Sequence, residues 1–491
     1  MNTVEPEKDI KPSNLLHRDT PLIRGRHIYY LLVLGVAAVA AAALLIAPET
    51  FQVPIIFSFP AVLVGIYILQ SPFAGIYLFL LYDTLRPYDF IYALRPLRLT
   101  IVLEAITVLS WIIYLIRSKA SFNWPFFNWP FTIFIALITL SVLTAENAGL
   151  AYNTFMVMIV TYVMFIAATN IVDSIARLNK LVWLFLMIHL YFALKGIYNF
   201  HFGEMLPNGQ HTSGVVGSAF LGDENDFALV INIFIPMTYF MFMTLKNRFL
   251  KIFTGGLMII YAYAIISSFS RGGWVGLMSV VIYCILNAKK KMASLAVVAM
   301  LAVVMVVVAP SSYWNEIQTI SDTSESTADA RIRYWQAALA IFADHPVLGV
   351  GADNGGIYLP YYISGAVNPD REWGRAFHGT IPQVLAELGI VGTACYFMMA
   401  FIVIRKLYTL RKRKGINNVL IPRDVLANGL LGGIIAYFVT ATFISTVYYP
   451  QLWSLYTLSI ILILVDRADV ARDKAQNTVP VENGQTDAAA P

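Results

Sequence analysis

Apolar residues run through this chain in blocks of about 15 to 22, too long for half-buried strands and without the polar face of a soluble amphipathic helix. A helix needs about 20 such residues to cross a hydrocarbon layer of roughly 30 Å, and only helices or closed barrels satisfy their backbone there. Blocks this long exclude the short alternating strands of a barrel. The pattern predicts an all-α polytopic membrane protein of about 12–14 transmembrane helices. They fall at 28–47, 53–69, 72–84, 98–116, 130–145, 151–170, 180–198, 226–245, 250–270, 272–288, 293–309, 388–405, 425–446 and 450–465. The third and the last are short, so the number is a range.

Composition agrees: 58% of the 491 residues are hydrophobic and 13% charged, with a mean hydropathy of +0.67. No soluble domain hides that much apolar surface. The polar stretches between blocks divide the chain. Residues 1–26 and 467–491 read as disordered cytoplasmic tails, 27–200 as N-terminal transmembrane helices, and 201–405 as a core interrupted by a large outer loop, 310–387, with short helices of its own. Residues 406–466 return as C-terminal helices. No cleavable signal is visible, so the first block reads as an anchor.

Charge fixes the expected orientation. Lys and Arg mark every second short loop, as at Arg117 and Lys119, Arg177 and Lys180, Lys289 to Lys291 and Arg411 to Lys414, which predicts cytoplasmic termini. Nine of the 34 basic residues face outward: Arg86, Arg95, Arg98, Lys195, Arg271, Arg331, Arg333, Arg371 and Arg375. Most lie in or beside the most polar, motif-like segments, a pattern suited to gripping an anionic substrate at the outer face. The run Arg411 to Lys414 is juxtamembrane, so membrane lipid headgroups rather than nucleic acid account for it. Cys284 and Cys395 read as buried small hydrophobes, which leaves no thiolate metal site and no disulfide framework.

The outer loop carries the candidate chemistry. A helix is expected from about Ser326, with Asp329 three residues on, to the stop at His345-Pro346. Arg331, Trp335, Ala338 and Phe342 share one face of it and Arg333 points elsewhere. An arginine on an apolar face either holds a ligand or buried acid, or snorkels at the interface. The run from Gly349 to Gly356, followed by Tyr358, Tyr361 and Tyr362, is either a phosphate cradle with faces for sugars or a flexible connection with interfacial aromatics, the blander and preferred reading. His378, in Phe377-His378-Gly379-Thr380, lies about ten residues ahead of the span expected from 388; its outward face, nearby arginines and near-neutral pKa suit a general base.

Arg271 stands between two spans in Ser270-Arg271-Gly272-Gly273-Trp274, where an ionised group is costly without a partner, while Gly272 and Gly276 permit close helix packing. Asp223, Glu224 and Asp226 offer hard-cation ligands, yet they precede a span and also read as a helix start favouring acids. Lys195, near the outer end of its span, is an additional phosphate contact or a partner for such an acid.

Taken together, Ser270-Arg271-Gly272-Gly273-Trp274, Arg331 with Trp335, the Pro346, Gly349, Gly351 spacing, and His378 followed by Glu387-Leu388-Gly389-Ile390-Val391-Gly392 resemble the O-antigen ligase and polymerase superfamily of bacterial envelopes. The stretch from Gly222 to Ala228 with Pro236 is similar to that family too, so the likeness covers about 215–405. It implies an inverting, metal-independent transferase of the inner membrane without a cofactor, its active site facing the periplasm. The donor is a glycan on undecaprenyl pyrophosphate; the acceptor hydroxyl belongs to lipid A core, a growing polysaccharide or a protein. Arg271 and Arg331 carry over as pyrophosphate ligands and His378 as the catalytic base, with Lys195, Arg333, Arg375 and Asp223 as possible additional contacts. Gly379 departs from the Asn or Ser of many relatives and leaves the partner of His378 open. A lipid-linked glycan transporter is the competing class, though no internal repeat supports it. Ligase, polymerase and protein O-oligosaccharyltransferase remain alternatives within the enzyme reading.

Overall fold

The computed structural model describes residues 49–119, 121–203, 214–215, 221–308, 326–363, 372–413 and 420–477, with a few positions between 34 and 43. The expected tail 1–26, most of the expected span 28–47, Tyr313 and Trp314, and Arg371 lie outside them. Every regular element described is helical. Besides two short turns of helix at Pro87–Phe90 and Tyr92–Leu97, the helices are α1 (Glu49–Gln70), α2 (Pro72–Leu85), α3 (Leu99–Ser118), α4 (Asn128–Thr144), α5 (Ala148–Ile171), α6 (Ile175–Phe202), α7 (Glu224–Asn232), α8 (Ile235–Thr244), α9 (Arg248–Ser267), α10 (Arg271–Asn287) and α11 (Lys291–Val308). Then come α12 (Ser326–Asp344), α13 (Gly355–Tyr362), α14 (Thr380–Leu410), α15 (Arg423–Ala441) and α16 (Pro450–Asn477).

Among the described residues seven helical segments are long and apolar enough to cross a membrane, so the chain is a multi-pass membrane protein. Their burial separates centre from periphery: 83% of the apolar window is buried in α15 and in the α7–α8 pair, against 17% in the segment ending with α3. The centre carries small and polar side chains because it meets protein on all sides, whereas α3 presents Ile101, Leu109 and Ile116 outward, as a lipid-facing helix does.

The structure departs from the sequence expectation in four places. The expected span 226–245 is two helices, because Pro236 in the first turn of α8 supplies no backbone N–H to continue α7. The expected span 388–405 starts at Thr380, so the outer loop ends at 379 and His378 sits two residues before a helix. That helix breaks at Gly389 (φ 60°, ψ −161°). The backbone released there is taken up by the preceding loop: Val350 N donates to Ala386 O (2.9 Å), Gly351 N to Glu387 O (2.9 Å) and Ile390 N to Pro346 O (2.8 Å). The backbone N–H groups of Val350 and Gly351 are thus spent bracing the broken helix, while Gly349 N donates to His345 O (3.1 Å). Finally, α16 stays helical to Asn477, past the start of the tail expected from 467.

The two ends of the bundle differ. At one end Lys289 pairs with Asp424 (2.6 Å) and Arg413 with Asp466 (2.5 Å), while Arg423, 8% exposed at its side chain, reaches both Asp466 and Asp469. These pairs tie α10, α14, α15 and α16 together at the end carrying the basic loops. The other end gathers the starts of α7, α10, α14 and α16.

Candidate functional site

At that second end, the first turn of α7 is the hub. Asp223 caps it, accepting from Asn225 N (2.8 Å) and Asp226 N (3.3 Å), which satisfies two of the helix's orphan donors. Asn225 Oδ1 accepts from Ser270 Oγ (2.7 Å), and Ser270 Oγ in turn caps α10 by accepting from Gly273 N (2.9 Å). Arg271 is thus the first residue of a helix whose start is bonded to the start of α7. The approach is close enough that a Cβ on Gly276 would collide with Thr440 Oγ1 and Asn232 Nδ2. Asp226 accepts from Tyr449 OH (3.1 Å), which attaches the turn before α16.

The outer loop arrives from the other side. Helix α12 buries Tyr334, Ala337, Ala338 and Ile341 against Val350, Leu359, Phe377 and Ala386. Arg331 and Trp335 flank that stripe, half-buried. Arg331 faces the protein rather than the lipid, since its charge acts on both Glu224 and His378. Arg333 lies on the exposed face of α12 and pairs with Asp329 (3.5 Å).

His378 is held with φ 50°, in the left-handed region. Its ring lies 6.1 Å from that of Tyr334 at 29°, and among the described residues its nitrogens make no hydrogen bond. Burial pushes its pKa below the ordinary 6.5, the positive charges of Arg331 and Arg375 push the same way, and Asp223 opposes them. The ring is therefore neutral at neutral pH, the form a general base needs.

The sequence-expected residues divide accordingly. Arg331, His378, Arg375, Asp223 and Glu224 interact at one place, and Arg271 borders it through Ser270 and Asn225. Arg375 also pairs with Glu372 (3.8 Å). Lys195 lies over the ring of Tyr198, 5.2 Å from its centroid, and neither it nor Arg333 has a described contact with the hub. Asp223, Glu224 and Asp226 serve three different partners, as a helix start does, and among the described residues no three His, Cys, Asp or Glu are placed to hold a metal ion. Glu387 is 3% exposed and occupied at the break in α14, where it accepts from Tyr448 OH (2.7 Å) and Asp353 N (3.1 Å). Tyr449 and the role of Glu224 toward Arg331 escaped the sequence reading, because nothing local marks a contact across more than a hundred residues.

Compared with known proteins, residues 256–397 match the O-antigen ligase family, a segment that contains Arg271, Arg331 and His378. No curated protein matches the chain. That segment, whose charged residues converge on the start of α7, is where the chain resembles the O-antigen ligase family.

Proposed function

We propose that the protein transfers a glycan from undecaprenyl pyrophosphate to an acceptor hydroxyl at the periplasmic face of the inner membrane, with inversion and without a metal. The observation that supports this most is the convergence of Arg331 and His378, from one loop, on the first turn of α7 beside Arg271. Guanidinium forks bind phosphate oxygens through paired, charge-assisted hydrogen bonds. The neutral imidazole of His378 takes the proton of the acceptor hydroxyl as its oxygen attacks the anomeric carbon. The bond from that carbon to the pyrophosphate oxygen breaks, and its electron pair leaves on the pyrophosphate, where Arg271 and Arg331 stabilise the growing charge. A leaving group so stabilised needs little general acid. Among acceptors, ligation to lipid A core is the first reading, with polymerisation and protein glycosylation behind it.

The test is transfer by the purified protein in detergent, with a labelled undecaprenyl-pyrophosphate glycan and a candidate acceptor. Transfer is expected where no second compartment exists. A protein that binds the donor but moves it only between compartments of sealed vesicles is a transporter, and the reading fails. Deletion in the native host then identifies the acceptor as the surface molecule that loses glycan while the lipid-linked donor accumulates.

A further inference from the structure

The backbone at His378 is unusual, and one side chain of α12 is placed to hold it. His378 has φ 50°, a left-handed conformation uncommon for any non-glycine residue, though less rare for His than for most, and one that is held by its surroundings. Trp335 Nε1 donates to the carbonyl of His378 at 3.2 Å. The indole can come that close because the next residue is Gly379: a Cβ there would lie 2.8 Å from Trp335 Nε1 and 3.2 Å from the ring of Pro382. Just beyond, Thr380 Oγ1 donates to Ile444 O (2.7 Å) and pairs with Thr446 Oγ1, so the downstream side of the bend is fixed to the turn ahead of α16. Upstream, Phe377 is buried at 1% exposure. Between these two anchors the carbonyl of the bend itself accepts a side-chain hydrogen bond, and Trp335 supplies it.

We infer that Trp335 is the positioning residue of His378, and that Gly379 is required because it leaves room for the indole. The inference rests on His378 acting as the base. Arg331 and Trp335 stand four residues apart on α12 and so share a flank of one helix. One rigid element therefore sets the distance between the phosphate-binding arginine and the base, and with it the spacing between leaving group and incoming hydroxyl. This also answers what orients a histidine whose ring nitrogens make no hydrogen bond among the described residues: the ring is aimed through its backbone, and Tyr334 limits its rotation from the side.

The test compares Trp335→Phe, Gly379→Ala, the double variant and His378→Ala by steady-state transfer in detergent. Trp335→Phe keeps an aromatic ring and loses the N–H, so kcat should fall by roughly two- to tenfold, the weight of one hydrogen bond, with the KM for the lipid-linked donor unchanged. Gly379→Ala should be harmful in the wild-type background, because its methyl meets the indole nitrogen. It should be markedly less so in the Trp335→Phe background, since the smaller ring has no atom at that position. The effects should thus be antagonistic rather than additive. A Trp335→Phe enzyme with wild-type kcat overturns the inference. So does a rise in KM matching the fall in kcat, since a helix that has merely shifted would carry Arg331 with it. If Gly379→Ala costs the same in both backgrounds, the steric argument fails. His378→Ala with normal turnover removes the base reading itself, whatever the tryptophan variants do.

Discussion

Arg331→Ala perturbs the proposed chemistry twice, and the two effects are read separately. The guanidinium is half-buried on the flank of α12, where its charge reaches Glu224 and His378. A hydrogen bond to a charged group contributes about 1.5–3 kcal/mol, or roughly 10- to 100-fold in rate at about 1.36 kcal/mol per decade. A fork making two such bonds to the departing pyrophosphate implies a loss of about 10² to 10⁴ in kcat/KM, and Lys, which carries the charge without the fork, should recover only a small part. The second effect is on pH. After burial, Arg331 is the largest influence holding His378 below its ordinary value, so removing it raises the folded-state pKa. The low-pH limb of the rate, where the base is lost by protonation, should move to higher pH. Asp223→Asn should move it the other way, because Asp223 opposes that depression. The assay is initial-rate transfer of labelled lipid-linked glycan in detergent from about pH 5 to 8, with donor concentration varied at each pH. An Arg331→Ala enzyme within threefold of wild type, or one whose limb stays put or moves down, would refute the placement of Arg331 between donor and base.

Four further outcomes follow from the same geometry. Arg333→Ala removes only the half-exposed pair with Asp329, a kind of interaction that contributes roughly 0.2–1 kcal/mol, so transfer should fall less than about fivefold in the same assay. His378→Ala should lower turnover by about two to four decades while equilibrium binding of the donor stays near wild type; loss of binding in step with activity would make His378 a phosphate ligand. Activity should survive EDTA, and complete loss restored by Mg²⁺ or Mn²⁺ would shift the chemistry to Asp223, Glu224 and Asp226. Gly389→Ala puts a side chain where φ is 60° and ψ −161° and against the backbone of Val347; with strain of order 1–3 kcal/mol and the bracing bonds disturbed, the thermal transition in detergent should drop by several degrees, and an unchanged transition would contradict the bracing.

The sequence determined the class and most of the helices of this protein, because crossing a membrane demands a long apolar run wherever it occurs. The observed α1 to α6 and α9 to α11 fall within a few residues of the runs read from hydropathy. It also singled out Arg271, Arg331 and His378 as candidates, since arginines and a histidine in polar segments stand out against an apolar background. Hydropathy could not reveal the break at Gly389 or the split at Pro236, because both halves of a broken helix are equally apolar. Nor could it assign the Gly349-Val350-Gly351 run, whose role depends on carbonyls more than thirty residues away in α14. The hub itself is a tertiary product: Ser270 meets Asn225 and Tyr449 meets Asp226 across separations of 45 and 223 residues, and Arg331 acts on Glu224 from a distant loop. Local pattern carries no information over such distances. Packing of α7 among its neighbours does: it brings Arg331 to Glu224 and, with Arg375, to His378, while Arg333 pairs with Asp329 and Lys195 lies over Tyr198.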